Sequence, residues 1–330
     1  MIKKNIFVTL FRGGRSLVLP IVGLLLLGLL IWYYGFTNII NTIFSEFELN
    51  WAIISALCIL ISTLIGSVNV YLFLARINSL SLNYAKFLRF YWLSWGVGQV
   101  VPGQVGDIAT LGITLRKHGI SASTTIGRAA MDKVISLLVI TLVGLIGIFL
   151  LINQSNGMID MTPSWFWLSS ILLVAAIFWF LNPRILQFFD VCRDDWRGDV
   201  GRARKEFIHI FRHEFKLIQL NLFFTVNKVG LIGLAYWAMF RALGESELTI
   251  LQTIPYATLS GLIAYLPISF NGLGTVEAAA IILFDQLGVS ADVVLSVYLC
   301  LRIMILILAW LPSLLLIFFE SLTPILNSGN

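Results

Sequence analysis

Seven ionisable side chains stand inside apolar stretches of this sequence: Asp107, Arg128, Asp132, Lys133, Lys228, Glu277 and Arg302. A charge at membrane depth is costly, so each marks a ligand contact, a proton-carrying group or a buried pair. Arg128, Asp132 and Ser136 are spaced i, i+4, i+8 and form one polar stripe on a helix. That stripe reads equally as a binding face and as a structural Arg128–Asp132 pair near the cytoplasmic end. Lys133 and Arg302 each fall about 16 Å beyond the start of their expected helices at the α-helical rise, where a cation suits an anionic ligand. Lys228, in NLFFTVNKVG, is too deep to snorkel to water easily, which leaves a functional cation or a structural pair.

Two further apolar segments, 84–117 and 250–287, are interrupted by turn residues, VVPGQVGD at 100–107 and PISFNGLGTVE at 267–277. Pro and Gly break helices by removing a donor and adding backbone freedom. The half-helix after each break starts with free N–H groups and a partial positive charge, an arrangement that suits phosphate. Gly103, Gly106, Gly272 and Gly274 would let a headgroup approach the backbone there. Asp107 and Glu277 follow in the first turn, either as caps of the helix dipole or as binders of protons or an amine headgroup.

The elements that must position these groups are membrane helices. Hydrophobic residues make up 58% of the 330 and charged ones 12%, against about 25% charged in ordinary soluble domains. Spans are expected near 16–35, 50–75, 122–152, 164–181, 217–243 and 291–320. Lys and Arg number four in the N-terminal arm, three in 76–90, eight in 182–216, and none in 36–49 or 153–163. Basic residues favour the cytoplasmic side, so six spans with both termini inside fit this distribution. The broken segments then read as two re-entrant helical hairpins, since bare backbone at membrane depth must be buried in protein or line a watery cavity.

A repeat underlies the plan. Gly103, Gly119, Ser121, Ala122 and Lys133 recur as Gly272, Gly288, Ser290, Ala291 and Arg302, every pair 169 residues apart. Each copy holds three spans and a hairpin, an odd number of crossings, so the second copy must be inverted. Repeats of this kind, with broken helices at matching places, point to a transporter-type site. The expected architecture is an all-α integral membrane protein of one domain over 1–330, with inverted units at about 16–152 and 164–320.

Composition excludes several functions. No polar segment is longer than 182–216, too short for a soluble catalytic domain of 50 or so residues. The net charge of +5 sorts by membrane side, which argues against nucleic acid. The apolar run 17–34 exceeds a signal-peptide core of about 7–15 residues and is expected to be a retained span. Cys58, Cys192 and Cys300 imply no disulfide framework. His209 and His213 lack an HExxH context and a third ligand, so no metal or other cofactor is expected, and no GxxxxGK[ST] sequence points to ATP. Phe207, Phe211 and Phe215 form an apolar stripe beside Arg204, Lys205, Arg212 and Lys216. It suits an interfacial helix on anionic lipid or one packed against the cytoplasmic ends of spans.

PGQVGD at 102–107, KHGIS at 117–121 and Lys133, followed by PISFNGLGTVE at 267–277, LGVS at 287–290 and Arg302, resemble the two half-motifs of the lysylphosphatidylglycerol synthase transmembrane region, or flippase-like, family. The resemblance covers nearly the whole chain. Phe270-Asn271 stand where that family usually has Pro-Gly, Asp107 replaces Glu, Asp132-Lys133 replace Glu-Arg, and Ser136 stands where Asp is common. The aminoacyltransferase domain of some members is not in this sequence. The resemblance implies binding and transbilayer movement of a phospholipid or lipid-linked molecule, in the cell membrane of a bacterium or archaeon. The expected site has the phosphate near the half-helix N-termini, Lys133 and Arg302, with Asp107 and Glu277 coupling movement to protons.

Two alternatives stand beside that expectation. Glu46 and Glu48 in SEFELN resemble the acidic pair of metal-dependent membrane glycosyltransferases, or are simply a solvated loop. The chain could also bind lipid without moving it, as a partner of envelope-biosynthesis proteins.

Overall fold

The computed structural model describes residues 15–45, 47–77, 82–100, 106–116, 118–154, 197–266 and 269–327. Over these it forms α1 (Arg15–Tyr34), α2 (Phe36–Ser45), α3 (Leu49–Leu74), α4 (Tyr84–Gln99), α5 (Gly106–Arg116), α6 (Ala122–Gln154), α7 (Arg197–His213), α8 (Phe215–Ala242), α9 (Ile250–Leu262), α10 (Thr275–Asp285) and α11 (Ala291–Asn327). Short 3-10 turns at Ile263–Tyr265 and Phe270–Gly272 lie between α9 and α10. Among the described residues four helices (α3, α6, α8 and α11) are long and apolar enough to cross a membrane, or five if the bent pair α1–α2 counts as one span. The expected span at 164–181 lies outside the described residues.

α1 and α2 differ from expectation. The sequence reads as a span followed by a linker, whereas a second helix follows a 78° bend. The bend sits at Gly35, with φ at +86°, and the Asn38 amide donates back to Tyr34 O at 3.1 Å. α2 buries Ile39, and Thr42 Oγ1 donates to Asp292 Oδ2 of α11 at 3.4 Å.

Both broken segments fold as helix, break, helix. α4 stops at Gln99 and α5 begins at Gly106, and a Cβ on Gly98 would lie 3.0 Å from Asp107 Cβ. The chain therefore turns back on itself at that tip. α9 opens with a reciprocal cap, in which the Gln252 N–H donates to Thr249 Oγ1 and the Thr249 N–H to Gln252 Oε1. α9 and α10 pack on each other.

The 169-residue interval reappears in the helix ends. α5 and α10 each have 11 residues, and α6 and α11 begin at Ala122 and Ala291. α5 ends as His118 N–H donates to Leu115 O, Gly119 N–H to Arg116 O and Ile120 N–H to Leu115 O. α10 ends as Leu287 N–H donates to Phe284 O, Gly288 N–H to Asp285 O and Val289 N–H to Phe284 O, the same three bonds shifted by that interval. Gly119 and Gly288 carry φ of +82° and +77°, the left-handed conformation that closes a helix most cheaply without a Cβ.

The chain packs as two compact units. One takes in Met1–Ile59, Trp95–Asp107 and Gly233–Asn330, the other Leu60–Ser94 and Ile108–Ile232. In the first, Phe284 packs its ring on Phe240 and Tyr256. In the second, Leu74, Phe87, Leu111, Leu115 and Ile120 form one core cluster, and Phe73, Met131, Ile135, Ile210 and Leu217 another. Gly127 of α6 abuts the Ala203 carbonyl of α7 so closely that a Cβ there would collide with it.

Candidate functional site

In the first unit the break between α9 and α10 is built by left-handed backbone. Asn271, Gly272 and Gly274 have φ of +47°, +70° and +77°. Asn is the non-glycine residue that tolerates this conformation best, which explains how Asn271 occupies a position expected to hold Gly. Its side chain adds a contact that Gly lacks, with Nδ2 donating to Gln99 O of α4 at 3.2 Å.

α10 starts directly after this turn, and Glu277 in its first turn reaches back to accept the Gly274 N–H on Oε2 at 2.8 Å. Oε1 of the same carboxylate accepts from Arg302 Nε of α11 at 2.6 Å. Arg302 NH1 donates in turn to Asn271 O at 3.3 Å. Glu277 is fully buried, while the Arg302 side chain keeps 23% of its surface. Beside them, Ser269 Oγ and Thr275 Oγ1 are 2.9 Å apart. Gly274 also lies under α1, where a Cβ would come within 2.6 Å of Leu26 Cβ. Glu277 thus has the capping geometry, and its carboxylate ties the helix N-terminus to the cation in α11. Asp107 is half-buried in the first turn of α5, beside Gly106 and against Gly98. Gly103 lies outside the described residues.

The second unit holds a different polar group. Asn69 Nδ2 of α3 donates to Thr225 Oγ1 of α8 at 3.1 Å, and Thr225 Oγ1 donates to Asn221 Oδ1 at 3.3 Å. Asn221 Nδ2 then donates to Asp132 Oδ1 of α6 at 3.0 Å. All four residues are buried. Lys228 Nζ donates to Ser136 Oγ at 2.9 Å and lies 4.0 Å from Asp132 Oδ2. A carboxylate without a proton only accepts, so Asp132 fixes the direction of every bond in the row. At the far end Asn69 Oδ1 is buried with no partner among the described residues.

The polar stripe on α6 therefore splits between two settings. Arg128 turns to α7, donating from Nε to Glu206 Oε2 at 2.9 Å and from NH1 to Phe73 O at 2.8 Å, with Glu214 Oε1 at 3.6 Å. Asp132 turns to α8 and to Lys228. Lys133 is half-buried on the same helix.

Asn221, Thr225 and Asn69 belong to these constellations and escaped the sequence reading, which noted Asn271 only as standing in place of Gly. Neutral amides and hydroxyls in a span carry little signal by residue type, although Asn221 and Thr225 at i, i+4 do share a helix face. Glu48 caps α3, its C=O accepting the Ala52 N–H at 3.3 Å and its N–H donating to Ala242 O at 2.8 Å. Glu46 lies outside the described residues.

No curated protein sequence matches the chain. Residues 20–313 match the family described as Lysylphosphatidylglycerol synthase TM region. With that match and its long apolar helices, the chain is a multi-pass membrane protein that belongs to this family.

Proposed function

We propose that the protein binds a lipid or lipid-linked molecule by an anionic headgroup and moves it across the cell membrane, without covalent chemistry and without a cofactor. The observation that carries this reading is the break between α9 and α10. There, inside an apolar segment, Arg302 is held on the Asn271 carbonyl at the N-terminus of α10. First-turn N–H groups and a guanidinium together favour phosphate. Glu277 is the resident anion of this place. In the resting state its carboxylate neutralises Arg302 and occupies the Gly274 N–H. A headgroup phosphate would take the exposed edge of the guanidinium while Glu277 keeps Arg302 and the Gly274 N–H in place from the buried side.

The proposed topology has six spans, two re-entrant hairpins and both termini cytoplasmic, with the second copy of the repeat inverted. In such an arrangement one copy can rock against the other about a fixed site.

Reconstitution into liposomes carrying headgroup-labelled anionic and zwitterionic lipids, read by quenching of the outer leaflet, tests the proposal. The expected result is accelerated loss of protected signal, abolished in Arg302→Ala and partly kept in Arg302→Lys. A folded protein that accelerates no lipid class would sink it.

A further inference from the structure

The segment from α7 into the first turn of α8 sorts its residues by face. Ala203, Glu206, Phe207, Ile210, Glu214 and Leu217 recur at helical spacing and turn inward. Ala203 meets Gly127, Phe207, Ile210 and Leu217 join the cluster around Phe73 and Met131, and both acids turn to Arg128. The outward side carries Arg204, Lys205, Arg212 and Lys216, all exposed, together with Phe211 and Phe215 at 67% and 64% exposure. The Phe stripe of the sequence is therefore divided, with Phe207 in the core and Phe211 and Phe215 outside.

The acids decide the character of this surface. Glu206 and Glu214 are the carboxylates of the segment 201–216, and Arg128 draws both to the packed side. What remains outside is cationic and aromatic, and it runs directly into α8, a helix long enough to cross the membrane.

We propose that this face is a docking surface for anionic lipid headgroups of the bilayer the protein spans. Phe211 and Phe215 would sit at the interface, and Lys205, Arg212 and Lys216 would hold phosphates. Two physical points select lipid over a protein partner. Over 201–216 the face is positive without compensating acids, and its aromatics sit within one turn of the start of a span, where rings with basic neighbours partition into headgroups. A basic residue near an anionic surface favours it by about fivefold, so three acting together give a clear preference for charged over neutral lipid. The inference does not depend on translocation.

The test places the photo-cross-linker benzoylphenylalanine at position 211 or 215 of the full chain. Purified protein is reconstituted in vesicles of equal phosphatidylcholine and phosphatidylglycerol, and adducts are weighed by mass spectrometry. The expected result is phosphatidylglycerol adducts in more than tenfold excess over phosphatidylcholine. The excess should fall towards the bulk ratio in K205Q/R212Q/K216Q, whose melting temperature should match that of the parent because these side chains point outward. Adducts at the bulk ratio in the parent, or cross-linking to a second copy of the chain, overturn the proposal. So does capture of another protein when the same variant is illuminated in the membranes of cells that make it.

Discussion

Glu277 and Arg302 make the sharpest statement at the scale of single residues, because a fully buried carboxylate is tolerable only with its counter-charge in place. Glu277→Ala removes that buried charge and leaves the partly exposed guanidinium without its partner, which should cost about 1–3 kcal/mol, read as a fall in melting temperature. The double variant E277Q/R302Q should recover much of that loss. Asn271 offers a finer test. Asn271→Ala forces a Cβ-bearing residue without an amide into left-handed backbone and should cost about 1–2 kcal/mol. Asn271→Gly should lose only the bond to Gln99, about 1 kcal/mol. The charges of this site were legible in the sequence because charge is rare in apolar segments. The role of Asn271 was not, since Asn before Gly announces left-handed backbone but not that the side chain will reach Gln99 O of another helix.

The helices themselves show what apolar pattern reveals and what it hides. The breaks after α4 and α9 were readable because Pro and Gly interrupt long apolar runs. α2 was not, because FTNIINTIFS is short and mixed, and it becomes a helix by folding back after Gly35 onto α11. The helical character of 204–216 and its basic face were legible, but not the start of α7 at Arg197 nor the assignment of Glu206 and Glu214 to Arg128, which depends on how α7 lies along α6. That contact rests on Gly127. Gly127→Leu should push α7 off the Ala203 contact and raise hydrogen exchange over 197–213, with little change in α11. Asp132→Asn should act on the row of hydrogen bonds to Asn69. Without an obligate acceptor at its end the row can run in either direction, and the side-chain amide of Asn221 should give two sets of NMR signals in place of one.

Across the whole molecule, the 169-residue interval was visible first as matching Gly, Ser and Ala positions, and the helix ends now carry it to matching backbone bonds. The compact units do not follow the two copies, since each draws on residues from both. Residue spacing alone holds no information about that exchange, which arises from packing between distant segments. Because Gly119 and Gly288 perform the same closure, Gly119→Ala and Gly288→Ala should each lower stability by a similar amount, about 1 kcal/mol for a left-handed residue gaining a Cβ, measured by thermal melting. The same closure also ends α8, at Leu243, Gly244 and Glu245, so it is the 169-residue interval and not the bonds themselves that sets Gly119 and Gly288 apart as a pair. If that interval records a duplication, the ancestor was a shorter gene copied and joined to itself. If the copies are inverted as proposed, the product of that shorter gene had to insert into the bilayer both ways up to pair with itself. Its basic residues must then have been nearly balanced between its two sides, and the lopsided distribution seen today would have accumulated only after the fusion released each copy from that requirement.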